Sequence, residues 1–139
     1  MRKIESLMCQ AVSNNKDWHL ANTSVHYDPE TGVSIVRLHG NKIAEISDND
    51  MTIYDGGKQS VTTKSRLNAL CEAFCIDGER VFQKNLKWYV RKLIGESTIT
   101  GKVYNDFDFT NGFVFAWVVF TSTHILIHYY DCSFVLCYI

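Results

Sequence analysis

The sequence predicts an α+β fold: an antiparallel β-sheet, a meander followed by C-terminal hairpins, with two helices packed on one face. Three observations predict it. Residues 2–14 and the segment after Thr62 place apolar residues at the 3.6-residue spacing of amphipathic helices. Most of the remainder alternates with period two between turn signals. Residues 113–139 carry one charge, Asp131, and are rich in Phe, Val, Ile and Tyr, a composition that favours strands. A length of 139 residues suits one domain spanning 1–139, with 113–139 as its apolar, β-rich tail.

The elements follow in order. Ile4, Leu7, Met8 and Ala11 define the buried stripe of the first helix, and Asn14-Asn15 stops it. Trp18 then falls in a polar connector. Period two begins at Thr23 and runs to Tyr54 as a four-strand meander. Its turns are Asp28-Pro29-Glu30-Thr31-Gly32, the two-residue Gly40-Asn41, and Asp48-Asn49-Asp50, before Asp55-Gly56-Gly57 ends it. The second helix is capped by Thr62 or Thr63, buries Leu67, Leu70, Cys71 and Phe74, and terminates at Asp77-Gly78. Residues 81–84 and 87–90 flank Asn85-Leu86 as a hairpin, with a helix over 79–94 as the alternative. Residues 103–109, Asn111-Gly112 and residues 113–120 give the clearest hairpin signal in the chain.

Composition narrows the function classes. Fourteen basic and 15 acidic residues leave a net charge of -1, which excludes a uniformly basic nucleic-acid coat or an acidic DNA mimic. The start of the chain lacks the apolar run of a secretory signal, so a cytosolic protein with reduced thiols is expected. The five cysteines (Cys9, Cys71, Cys75, Cys132 and Cys137) form no C-x-x-C pair.

Four constellations bear on chemistry. Thr62, Thr63, Lys64, Ser65 and Arg66 place two cations and three hydroxyls on the first turn of the second helix, where free N–H groups favour anions. The alternative is a solvated turn whose cations pair with Asp55 or another acid. The stretch containing Arg80, Lys84, Lys87, Trp88, Tyr89, Arg91 and Lys92 interleaves cations with aromatics. On a strand, Lys87, Tyr89 and Arg91 share one face, and Trp88, Val90 and Lys92 share the other. Such a face suits a nucleic acid or a protein partner; the alternative is a solvated face beside a buried Trp88. His124, His128 and Cys132 recur every fourth residue, but on strands the two histidines stand too far apart to share a metal, so none is expected. Asp106 and Asp108 share a strand face as solubilising acids. No nucleophile has a partner at a motif spacing, so the expectation is a non-enzymatic protein with no cofactor. The tail is read as core strands, as a strand offered to a partner or, third, as a membrane span; no membrane association is expected.

Certain residues carry a resemblance. They are Arg2-Lys3-Ile4-Glu5, Asn22-Thr23-Ser24-Val25, Leu38-His39-Gly40-Asn41-x-Ile43-Ala44, the run Thr62-Thr63-Lys64-Ser65-Arg66-Leu67-Asn68-Ala69, and Phe82-Gln83-Lys84 with Trp88-Tyr89-Val90. In this order, over roughly the first 115 residues, the chain resembles a family of small uncharacterised proteins from tailed bacteriophages. Residues 116–139 lie outside the resemblance. It implies a phage-encoded protein made in the host bacterial cytoplasm. The expected role is an accessory protein that binds a host macromolecule during infection, as a host-takeover or anti-defence inhibitor. A host protein is the first partner and nucleic acid the second; a minor virion component is a further alternative.

Overall fold

The computed structural model describes residues 1–120, 126–130 and 133–137, with side chains through Trp117. It has two helices, α1 (Lys3–Ser13) and α2 (Val61–Phe74), and antiparallel sheets, an α+β fold. The first sheet contains β1 (Trp18–Leu20), β2 (Thr23–Asp28), β3 (Val33–Leu38), β4 (Asn41–Ile46), β5 (Asp50–Ile53) and β9 (Phe113–Ala116), in the spatial order β1-β2-β3-β4-β5-β9. The second contains β6 (Arg80–Lys84), β7 (Lys87–Ser97) and β8 (Gly101–Asp108). The third joins β10 (Val118–Phe120), β11 (Leu126–Tyr130) and β12 (Ser133–Cys137).

The meander forms where the turns place it, with two differences. His39 and Gly40 both adopt positive φ, so this hairpin turns one residue earlier than expected and Asn41 opens β4. Trp18 belongs to β1, paired across to Val25, and not to a connector. The cap of α2 is Ser60: its hydroxyl accepts from the Thr63 N–H at 3.1 Å, so Thr63 occupies the third helical position. Asn85 and Leu86 turn at φ 52° and 64°, closing β6 onto β7 as a hairpin and replacing the helical alternative.

The largest departure lies at Asn111-Gly112. Strands β8 and β9 flank it but do not pair with each other. Strand β8 pairs with β7, whereas β9 pairs with β5 in the first sheet. A two-residue turn signal marks where the chain reverses; it does not say which strand comes to lie alongside.

Both helices pack against this framework. Met8 and Val12 of α1 and Leu67, Leu70 and Cys71 of α2 share one buried cluster with Val36, Ile43, Ile53, Val81, Trp88, Val90 and Phe115. Polar bonds fix the second sheet against α2. Asn68 donates to the Val81 carbonyl at 2.9 Å and accepts from the Val81 N–H at 2.8 Å. The Glu79 carboxylate accepts from the Leu93 N–H at 2.9 Å and the Ile76 N–H at 3.2 Å. Burial raises the Glu79 carboxyl above its ordinary value despite those bonds and the nearby Lys92.

Candidate functional site

The first turn of α2 is largely engaged within the chain. Thr63 is buried; its hydroxyl lies 2.8 Å from that of Ser60 and 3.4 Å from the Lys58 carbonyl. Ser65 donates to Glu5 Oε2 at 2.6 Å. Arg66 turns inward: Nη1 donates to Glu5 Oε2 at 2.8 Å, Nε to Thr23 Oγ1 at 3.0 Å, and Nη2 to Asn22 Oδ1 at 3.4 Å. The two ion-pair side chains, Arg66 and Glu5, are 4% and 3% exposed. Burial opposes ionisation of Glu5, but bonds from Ser65, the Arg2 N–H and Arg66 outweigh it and hold the carboxyl below its ordinary value. Lys64 stays half-exposed and reaches Gln83 Oε1 at 3.4 Å; Thr62 is half-buried. The acid that meets a cation of this turn is therefore Glu5, brought in by α1, and not Asp55.

The cation-aromatic stretch has a different fate. Strand alternation places Lys87, Tyr89 and Arg91 of β7 on one face of the second sheet. Trp88 points the other way and is buried, meeting Phe109 edge to face at 5.3 Å. Across the Asn85-Leu86 turn, β6 adds Arg80 opposite Arg91, Phe82 opposite Tyr89 and Lys84 opposite Lys87. Phe82 and Tyr89 stack with ring centroids 5.6 Å apart. Arg91 and Arg80 lie 4.9 and 5.6 Å from the Phe82 centroid, and Lys87 lies 5.5 Å from that of Tyr89.

Strand β8 supplies the acids. Asp106 accepts from Arg91 Nε at 2.8 Å and Nη2 at 3.1 Å, a bidentate pair, and Asp108 lies 3.1 Å from Lys87. The hydrogen bonds from Arg91 hold the Asp106 carboxyl below its ordinary value, and the charges of Arg91, Arg80 and Lys84 add to this. The face thus carries Arg80, Lys84, Lys87 and Arg91 against Asp106 and Asp108, four cations to two acids. A cleft lined by Glu72, Glu79, Arg80, Arg91 and Tyr104 adjoins one end of it.

Sequence reasoning named Lys84, Lys87, Tyr89 and Arg91 for this face but missed Phe82 and the two acidic partners. A signal for Phe82 was present. Positions 82 and 89 are equidistant from the Asn85-Leu86 turn, so any two-residue hairpin there sets them opposite each other. Arg66 and Trp88, also named, are buried.

Among the described residues no group of three or more His, Cys, Asp or Glu could hold a metal ion. His124 and Cys132 lie outside the described residues, as does the side chain of His128. Cys9, Cys71 and Cys75 are buried, and burial pushes the Cys9 thiol up to about 12. Among the described residues no helix is long and apolar enough to cross a membrane.

No curated protein matches the chain, and no solved structure matches it. Residues 1–116 match the family model described as Kyanoviridae Gp96 protein. That match runs from the chain start to the end of β9, taking in both helices and the first two sheets. The chain belongs to the Kyanoviridae Gp96 protein family, a family of bacteriophage proteins.

Proposed function

We propose that this protein is a non-enzymatic phage accessory protein. In this reading it acts in the host bacterial cytoplasm during infection by docking the outward face of β6–β8 on a host macromolecule, as a host-takeover or anti-defence inhibitor. The observation that carries the reading is the solvent-facing Phe82–Tyr89 stack bracketed by Arg80, Arg91 and Lys87. Aromatic rings and arginines are the side chains on which protein interfaces concentrate their binding energy.

A host protein is the favoured partner. The rings already carry cations, and Asp106 and Asp108 pair with two of those cations. A base that stacked on either ring would have to displace them. A mixed-charge, aromatic surface instead suits the rim and centre of a protein–protein contact. Nucleic acid is the second reading, favoured by the excess of two cations on the face (four less two).

The test is affinity capture from infected-host lysate with the wild-type chain and with Phe82→Ala/Tyr89→Ala. A host protein retained by the wild type and lost by the folded variant is the expected outcome. Equal retention by both removes this face from the reading. Fluorescence anisotropy with labelled DNA and RNA across a salt series addresses the second reading. Binding that falls steeply with salt and is lost in the same variant would favour nucleic acid over protein.

A further inference from the structure

Strand β8 is the outer strand of the second sheet, and among the described residues no strand pairs with its free side. It runs for eight residues, all exposed except the half-exposed Tyr104, and contains no proline. Val103 and Phe107 on it are each 37% exposed. Natural edges of this length are ordinarily blunted by uncompensated charge, by proline or by a covering segment. Here both acids of the strand are neutralised from β7, by Arg91 and Lys87, and Lys102 is left as its one uncompensated charge.

The backbone fixes which groups face outward. The Phe109 N–H donates to the Trp88 carbonyl at 3.1 Å, so odd-numbered positions turn their backbone groups toward β7. The N–H and C=O groups of Lys102, Tyr104, Asp106 and Asp108 therefore point to the open side. A partner strand must bond to these positions.

We propose that the partner is a second copy of this chain, with two β8 strands pairing antiparallel about a two-fold axis at Asn105. The sequence of the strand is complementary to itself in that register. Lys102 falls opposite the partner's Asp108, and Tyr104 opposite the partner's Asp106, each pair able to exchange two backbone bonds. Val103 falls opposite the partner's Phe107 in a close, non-hydrogen-bonded pair, the arrangement in which β-branched and aromatic side chains gain most from each other. Neighbouring registers are worse. An axis at Asp106 opposes two like charges, and an axis at Tyr104 separates Val103 from Phe107. A half-residue axis would set outward groups against inward ones. The product is one continuous sheet, three strands from each copy, carrying two copies of the Phe82–Tyr89 face.

The inference is independent of what that face binds. It is tested by light scattering and sedimentation on the full chain across a concentration series, together with two variants that each add one cysteine. Wild-type protein is expected to be dimeric. Asn105→Cys sets two thiols face to face across the axis, at a Cα separation near 4.5 Å that a disulfide spans, and mild oxidation should yield a covalent dimer. Val103→Cys faces Phe107 of the partner subunit and should link no faster than wild type. Lys102→Asp, which opposes Asp to Asp at both ends, should weaken the dimer about tenfold or more, and Lys102→Asp/Asp108→Lys should restore it. A wild-type chain that stays monomeric at every concentration overturns the proposal. So does a dimer in which Asn105→Cys and Val103→Cys link at the same rate, or one indifferent to Lys102→Asp.

Discussion

The Glu5–Arg66 pair joins two helices across 61 residues of chain, and its removal should be costly in a way that depends on pH. Substituting Arg66→Met keeps an unbranched apolar stem and removes the guanidinium with its charge. Glu5 then keeps the Ser65 hydroxyl and the Arg2 N–H but loses the cation that compensates its burial. Breaking one side of a buried pair costs about 3–5 kcal/mol. That is a large share of the ~5–15 kcal/mol that holds a domain together. At this chain length it corresponds to a fall in Tm of roughly 10–20 °C. Urea and thermal unfolding, followed through the buried Trp88 and Trp117, measure it directly.

The sign with pH separates this account from a simple packing loss. In the wild type the Glu5 carboxyl is held below its ordinary value of 4.5. Its contribution is therefore present above that value and disappears as pH falls through the lower, folded-state value. In Arg66→Met, burial acts without the cation and raises the carboxyl, so protonation relieves the variant and its deficit shrinks between pH 7 and about pH 4. Glu5→Gln/Arg66→Met should cost at least about 2 kcal/mol less than the two single substitutions summed. A deficit in Arg66→Met below about 1 kcal/mol, or one that does not change with pH, would refute the argument.

Three further outcomes are expected. Asn68→Ala strips both bonds from Val81 and should destabilise by about 1–3 kcal/mol, with faster hydrogen exchange at the Val81 amide as the local readout. Gly78→Ala places a Cβ 2.8 Å from the Tyr104 ring at φ +99°, so Tm should drop, and adding Tyr104→Ala should recover the steric part. In a Cys132→Ser/Cys137→Ser background, Cys9 and Cys71 should resist a thiol reagent at pH 8 in the native protein and react fully in urea, because both are buried.

What the sequence made legible was local. The stop at Asn14-Asn15, the Asp28–Gly32 turn and the Asn85-Leu86 hairpin each depend on a few neighbouring residues, and each falls where expected or within a residue. The same reasoning failed where partners are distant. Strand β1 is three residues long and has no alternation of its own; its pairing with Thr23–Val25 defines it. Nothing near Arg66 announces that Glu5 will reach it, so a cation on an N-terminal turn read as a feature of the surface. The β7 face was legible because alternation alone sorts Tyr89 from Trp88. Its acids were not, because register had first to bring Asp106 opposite Arg91.

The return of β9 to β5 has a consequence in time. Ile53 and Phe113 pair across 60 residues, and Phe115, almost wholly buried, lies opposite Met51. Hairpins of the meander can close in microseconds, long before synthesis finishes. The open side of β5 must wait for residues 113–116, a delay of about 3–12 s for 60 residues at ordinary rates of elongation. Through that interval the nascent chain displays an unpaired strand edge and a core without its Phe115 ring. Holdase chaperones would find their longest opportunity there, and folding should complete in one late step as β9 leaves the ribosome.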